Sequence, residues 1–469
     1  MKKALLLAAM AAAVMPAFAE SEGVNYDAKD GYTFTNLWVN CAAKGQWNSL
    51  KENQIPSFDY IATATALGDK IYVASSKSFV PVVGEDGTPG MGLGDNGQLI
   101  EFDYNTGAYI RNIQLTVNGQ PLTGLLCANH IGTDDFGHMY LFGYMASTFD
   151  TTNGVPRPLN IYVVDPATGA CTLTATPALF DDSSYANGRL DHIDVIGDIT
   201  RQQARCVVMA APSAPADKRY LYAWAAEQGS DEFGGHLAGG DYEQLEVEEC
   251  YPVSEGPWGG GAYVRILPDD EYSGSYVYID TFTSLPTLYD TEAGMVASFA
   301  DVVEADPENP VFTPKQNPNG ACEFTLGDDT FFMYPYEEYE PAPAGNRARI
   351  TRYGEAGDMS TLAHMYDFPQ IGMGTEKGAG RRTHILQARV LTDSKGKQAA
   401  QILTYKCGNG LALYQLAQEG YEGGAGVEGI VVDNNAPVEY FNLQGIRVAN
   451  PENGIFIRRQ GNEVTKVVL

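Results

Sequence analysis

Apolar and polar side chains alternate with a period of two through most of this chain. Segments such as Leu99-Ile-Glu-Phe102, Asn160-Ile-Tyr-Val-Val164, Ala204-Arg-Cys-Val-Val208, Tyr276-Val-Tyr-Ile-Asp280 and Gly410-Leu-Ala-Leu-Tyr-Gln415 therefore read as strands. After Glu20 the i, i+3, i+4, i+7 pattern of an amphipathic helix never persists for three turns, so the pattern predicts an all-β protein. The strands are punctuated by a repeated turn. Phe102-Asp-Tyr-Asn-Thr-Gly-Ala108 and Val164-Asp-Pro-Ala-Thr-Gly-Ala170 have the same Asp-x-x-Thr-Gly core, spaced 62 residues apart from Gly107 to Gly169. In both, glycine supplies the positive φ that lets the chain fold back into a hairpin. Upstream, Gly68-Asp-Lys-Ile-Tyr-Val73 corresponds to Phe136-Gly-His-Met-Tyr-Leu141, so each unit holds two hairpins and hence four strands.

A four-stranded unit recurring every ~60 residues is the sequence form of a β-propeller blade. The first two units span residues 58–114 and 125–179, and the third opens at Asp191-His-Ile-Asp-Val-Ile-Gly-Asp198. The fourth contains Ala262-Tyr-Val-Arg-Ile-Leu267, the fifth runs from Cys322 to Tyr366, and the sixth holds Ile385 to Gln415. The predicted fold is a β-propeller of about six four-stranded blades, with five or seven as alternatives, plus a small C-terminal β module. The boundaries follow composition: a signal peptide at 1–19, a polar N-terminal lead at 20–54, the propeller at 55–417, a Gly-rich linker at 418–430 and the C-terminal module at 431–469.

The leader reading rests on Lys2 and Lys3, the apolar run Ala4 to Val14, and the small-x-small site Ala17-Phe-Ala19. It predicts export, to the medium or the cell surface, with the periplasm as the alternative; no later stretch is apolar enough to span a bilayer. The net charge of −29 argues against nucleic acid and anionic lipid as partners. No EF-hand loop, calcium nonapeptide or zinc spacing is present, so no metal or cofactor is expected. The seven cysteines sit singly, mostly within alternating strands, and read as small buried apolar residues.

Candidate chemistry is sparse. His192 and Asp194 share one face of a strand, the arrangement of a base oriented by a carboxylate, and the innermost strands of a propeller line its central channel. Trp258 lies in the Gly-rich turn Gly256-Pro-Trp-Gly-Gly-Gly261, and Tyr334 and Tyr336 stand among carboxylates; flat rings so placed can stack on a sugar face. Arg381, Arg382 and His384 form the strongest basic cluster in an acidic chain and could clamp a carboxylate. The alternative for each is structural: strand alternation for His192 and Asp194, edge plugging for the aromatics, a solvated turn for the arginines. No nucleophile elbow, zinc-protease helix, phosphate loop or dinucleotide fingerprint occurs.

Two stretches resemble known groups. In the C-terminal module, Phe441, Leu443, Gly445, Val448, Gly454, Ile455, Phe456 and Lys466 match the tail of secreted Bacteroidetes proteins handled by the Por (type IX) secretion system. The resemblance implies contact with that secretion machinery. Leu190-Asp-His-Ile-Asp-Val-Ile-Gly-Asp-Ile-Thr200 and Tyr276-Val-Tyr-Ile-Asp-Thr-Phe-Thr-Ser-Leu-Pro-Thr-Leu-Tyr-Asp290 are similar to blade signatures of uncharacterised secreted propellers of gut Bacteroidetes. That resemblance implies fold and export, and it attaches no catalytic residues. The sequence thus predicts an exported, non-catalytic propeller that binds a glycan or surface protein at the loop-rich mouth of its channel. A polysaccharide hydrolase or lyase using channel acids or His192 is the alternative, and a structural surface protein the second.

Overall fold

The computed structural model of the chain describes residues 21–51, 54–55, 61–84, 87–124, 127–128, 130–143, 149–150, 153, 155–156, 160–175, 188–189, 192–200, 203–212, 219–225, 243–247, 262–267, 276–281, 284–290, 293–298, 320–338, 345–355, 357–374, 384–423, 438–441, 447–448, 455–460 and 463–468. The chain divides into two compact units, Met1–Val390 with Ala400–Ala417, and Leu391–Ala399 with Gln418–Leu469.

The first unit is a β-propeller of antiparallel meanders. Its first sheet is Ile61–Leu67, Lys70–Ser75, Gln98–Asp103 and Tyr109–Gln114. The second is His130–Thr133, Met139–Phe142, Ile161–Asp165 and Ala170–Ala175, and the third Ile193–Asp198, Gln203–Pro212, Arg219–Ala225 and Glu243–Val247. The fourth is Ala262–Ile266, Tyr276–Thr281, Ser284–Asp290 and Gly294–Ser298; the fifth is Cys322–Leu326, Asp329–Glu338, Gly345–Arg352 and Ala363–Phe368. The sixth joins His384–Thr392, Gln398–Lys406 and Gly410–Gln418 to a strand from the opposite end of the chain, Tyr32–Cys41.

The expectation of about six four-stranded blades is corrected: five four-stranded sheets are present among the described residues, and the second and third sheets depart from that form. The second sheet also takes the ribbon Thr116–Val117 and Gln120–Pro121, because the linker leaving the first sheet lies parallel to the outer strand Ala170–Ala175. Gly188–Arg189 likewise adds to the third. Five sheets of the chain are plainly four-stranded: four in the first unit and one in the second, built from Arg447–Val448, Val438–Phe441, Ile455–Gln460 and Glu463–Val468.

The segment read as a polar lead supplies the closing strand. Along Tyr32–Cys41 the residues Tyr32, Phe34, Trp38, Val39 and Cys41 are buried while Thr33 and Thr35 are exposed. Phe34 stacks on Tyr366 and Tyr414 at 4.7 and 5.3 Å between ring centroids, joining the fifth and sixth sheets in one core. On its other side Trp38 donates from Nε1 to the Tyr104 carbonyl at 2.9 Å, and Asn40 Nδ2 to the Gly107 carbonyl at 2.9 Å. The first of the repeated turns is therefore also a seat for the ring-closing strand.

Both repeated turns occupy equivalent places, between the third and fourth strands of neighbouring sheets. Asp103 Oδ1 accepts from the Thr106 N–H and hydroxyl, and Asp165 Oδ2 from the Thr168 hydroxyl at 2.6 Å. Gly107 and Gly169 have φ of 65° and 77°. A Cβ on Gly107 would lie 2.4 Å from Trp38 Cε3, whereas one on Gly68, also at positive φ, meets nothing within 4 Å. Gly107→Ala is therefore expected to lower stability by about 3 kcal/mol, combining backbone strain and overpacking, and Gly68→Ala by only about 1 kcal/mol. Chemical denaturation of the two variants checks this, and equal losses would contradict the seating of Trp38 on the turn.

Candidate functional site

The innermost strand of each sheet is an edge strand, and its inward N–H groups need acceptors that no neighbouring strand provides. Side chains of the preceding sheet supply them. Thr63 Oγ1 accepts from the Ile131 N–H at 2.8 Å, Asp135 Oδ2 from Gly197 at 2.7 Å and Asp134 Oδ2 from Ile199 at 2.9 Å. His192 Nδ1 takes the Val264 N–H at 3.5 Å, and Asp194 Oδ2 the Ile266 N–H at 2.8 Å. Asp280 Oδ2 receives Gly320 and Ala321, the Ala388 backbone bonds the Cys322 thiol, and Gln387 Oε1 accepts from Ala66 at 3.0 Å. Among the described residues, these groups bridge each sheet named above to the next.

His192 and Asp194 do face inward together, as the alternation predicts, and both are buried. His192 packs against His130 and Tyr263, with ring centroids 4.0 and 3.9 Å apart. Burial, His130 and Arg265 push the His192 imidazole well below the usual histidine range. Burial raises the Asp194 carboxyl, opposed by Arg265 and the Ile266 amide. The pair is not a base oriented by a carboxylate; each member instead holds a backbone amide of the next sheet.

Three cavities with shared lining residues adjoin the inner strands. The largest, about 300 Å³, is lined by Gly68 and Tyr104 of the first sheet's turns, Thr133, Asp134 and Asp135, Arg265, and Gln387 with Arg389. A second, about 160 Å³, is lined by Asp135, Asp194, Arg265 and Glu323 among others. A third, about 40 Å³, lies against His130, His192, Tyr140 and Tyr263. Thr133 and Arg265 border all three.

The polar lining is held in place. Thr133 and Thr65 hydroxyls are 3.2 Å apart, and Gln387 Nε2 donates to Thr65 at 3.1 Å. Arg389 lies over the Tyr104 ring at 4.0 Å and donates to the Gly68 carbonyl and to Gln401. Glu323 accepts from the Tyr278 hydroxyl at 2.8 Å, and burial raises its carboxyl. Burial opposes the charge on Arg265, but Asp194, Tyr263, Cys322 and Tyr140 together outweigh it, so the guanidinium is pushed up from its ordinary value.

Of the other sequence candidates, Tyr334 is only 2% exposed and packs in the core between the fourth and fifth sheets, so its ring cannot serve as a stacking platform. Tyr336 lies in the strand Asp329–Glu338 and His384 opens His384–Thr392; the side chains of both fall outside the described residues. Trp258, Arg381 and Arg382 lie outside them altogether. Asp134, His138 and Asp198 bring three metal-ligating atoms within 4.8 Å of one another. The same groups are engaged by the fold: Asp134 accepts from the Phe136, His138 and Ile199 amides, Asp198 Oδ1 from Thr200, and His138 Nδ1 lies 3.0 and 3.2 Å from the two carboxyls. The cluster is a turn lock between the second and third sheets. Arg265 and Glu323 were missed as site residues, although a charged residue in the middle of an apolar innermost strand, as in Tyr-Val-Arg-Ile-Leu, is a usable signal.

No protein-family model and no curated protein matches the chain. Among solved structures, the chain is similar to a Penicillium chrysogenum α-L-arabinanase complexed with arabinobiose, with 12% identity and a TM-score of 0.35 over 78% of this chain and 96% of that one. It is also similar to a Trypanosoma rangeli sialidase in complex with sialic acid, with 9% identity and a TM-score of 0.34 over 87% of this chain and 58% of that one. A third is the β-propeller domain of the Trilobed protease from Pyrococcus furiosus, with 11% identity and a TM-score of 0.27 over 78% and 94% of the two chains. No functional statement follows from likenesses of this size.

The buried histidines make stability depend on pH. Burial, then Arg265, bring the His130 pKa down to about 3, with the Ile193 backbone opposing. In the unfolded chain a histidine titrates near pH ~6.5, so below that pH the unfolded state binds the extra proton and native stability falls. At pH 5 this amounts to about 2 kcal/mol for one such histidine. His130→Phe is expected to reduce the stability lost between pH 8 and pH 5 by that amount, read from urea denaturation at the two pH values. An unchanged loss would contradict the burial of a neutral His130.

Proposed function

We propose that this chain is an exported, non-catalytic binding propeller, its six sheets acting as one blade each, with a glycan or the glycan of a surface protein as its ligand. The observation that carries the reading is the cavity of about 300 Å³ to which four different sheets bring Gly68, Thr133, Asp134, Asp135, Arg265, Gln387 and Arg389. A cavity at the lower end of ligand-pocket volumes, lined by fixed donors and acceptors alongside the apolar surface of Ala66, Tyr104, Ala388 and Leu403, suits one polyhydroxylated ring. The hydrogen bonds that tie Gln387 to Thr65 and Arg389 to Gly68 and Gln401 preorganise the lining before a ligand arrives. In this reading the leader directs export, and the C-terminal module serves secretion or surface attachment rather than ligand binding.

A second reading, a polysaccharide hydrolase or lyase, is favoured by one arrangement. Asp194 and Glu323, both with carboxyls raised by burial, line the same cavity as Arg265. Carboxyl groups displaced in this direction are suited to donate protons near neutral pH. Against it, both carboxyls are engaged by donors of the fold, Asp194 by the Ile266 N–H and Glu323 by Tyr278.

A glycan-array screen followed by calorimetry on each hit separates the readings. Binding is expected, with Gln387→Ala weakening it about 5- to 10-fold through one lost hydrogen bond. The saccharide should be recovered intact after prolonged incubation. New reducing ends or unsaturated products that vanish in Glu323→Gln would establish the enzyme instead, and failure of every glycan to bind would overturn both.

A further inference from the structure

Arginines of the first unit are paired with care. Arg349 grips Asp367 in a fork, Nε to Oδ1 at 2.6 Å and Nη2 to Oδ2 at 2.8 Å. Arg111 Nε reaches Glu101 at 2.5 Å, and Arg389 has a carbonyl, an amide oxygen and an aromatic face. Arg265 differs. Among the described residues it has an ion pair, Nη1 to Asp194 Oδ1, at 3.5 Å, too long for a good hydrogen bond. A guanidinium carries five N–H donors in a planar fork, so most of its capacity is unfilled among the described residues.

The unfilled side faces space, since Arg265 borders all three cavities and its side chain is 30% exposed. The carboxyls beside it are differently placed. Asp135 is held by the Gly197 N–H at 2.7 Å, Asp194 by the Ile266 N–H at 2.8 Å, and Glu323 by the Tyr278 hydroxyl at 2.8 Å. The hydroxyl of Thr133 is turned to Thr65. One oxygen of each of these carboxyls is thus engaged by the fold, while Arg265, beyond its long ion pair with Asp194, keeps most of its forked donors unfilled among the described residues. The complement of that donor is a planar oxyanion able to take two parallel N–H bonds.

We infer that the ligand of the axial cavity presents a carboxylate to Arg265, and hence that the site selects an acidic saccharide, of the hexuronate class, over its neutral counterpart. This rests on the reading of the cavity as a glycan site and adds to it the chemistry that discriminates between glycans. Asp194 is a positioning residue in this arrangement, aiming the guanidinium without filling it.

The test uses the full chain and four sugars, D-glucuronate and D-galacturonate against D-glucose and D-galactose, with acetate and lactate as carboxylates lacking a sugar ring. Calorimetry and ligand-induced thermal shift are expected to show the uronates binding about 10- to 100-fold tighter than the neutral sugars. Arg265→Gln should abolish that preference, and Arg265→Lys, which keeps the charge but loses the fork, should keep only part of it. Thermal melting establishes that the variants fold; if neither does, the wild-type preference decides alone. Equal binding of uronates and neutral sugars, or a preference that survives in Arg265→Gln, overturns the inference while leaving the glycan reading intact. Acetate and lactate binding as well as the uronates would uphold the carboxylate at Arg265 and remove the glycan reading. No binding by any of these compounds at tens of millimolar overturns both.

Discussion

A ring of sheets leaves its innermost strands with inward N–H groups and no strand to receive them, and the rest of this propeller depends on how they are satisfied. At each junction a side chain or thiol of one sheet meets a backbone amide of the next: Thr63 with Ile131, Asp135 with Gly197, Asp194 with Ile266, Asp280 with Gly320, Cys322 with Ala388, and Gln387 with Ala66. An unpaired buried N–H costs on the order of 1–3 kcal/mol, so a ring of such contacts carries an appreciable part of the stability of a domain. Polar residues in the channel are there first to hold the sheets together.

That constraint separates structure from function in the channel. His192 and Asp194 look like chemistry in sequence and, like Asp135, act as amide acceptors in space. Arg265, which borders all three cavities, is a charge that the amide network does not use. Burial raises Asp194, Asp280 and Glu323 and lowers His130 and His192. Burial is the first cause of each of these displacements, at groups that also take part in backbone and tyrosine hydrogen bonds.

Much of the fold was legible because its turns are local. Asp103 to Gly107 and Asp165 to Gly169 need the same backbone conformation and so kept the same residues, and their spacing gave the blade length. Ring closure was not legible, because the pairing of Tyr32–Cys41 with Gly410–Gln418 joins the two ends of the chain and leaves no local mark. The alternation in Tyr-Thr-Phe-Thr was present but isolated among polar residues. The site was legible only in part. Period two correctly put His192 and Asp194 on one inward face, yet it could not tell an amide acceptor from a ligand group. Tyr334 misled because its neighbours are acidic while its own strand is central in its sheet and buried on both faces.

The central claim, that inner-strand amides are sealed by the neighbouring sheet, is tested most directly by native-state hydrogen exchange at single amides. The account predicts that Ile131, Gly197, Val264 and Ile266 exchange as slowly as amides of central strands such as Leu141, because each has an acceptor across the junction. Rapid exchange of these four amides, at rates typical of a solvated sheet edge, would contradict it.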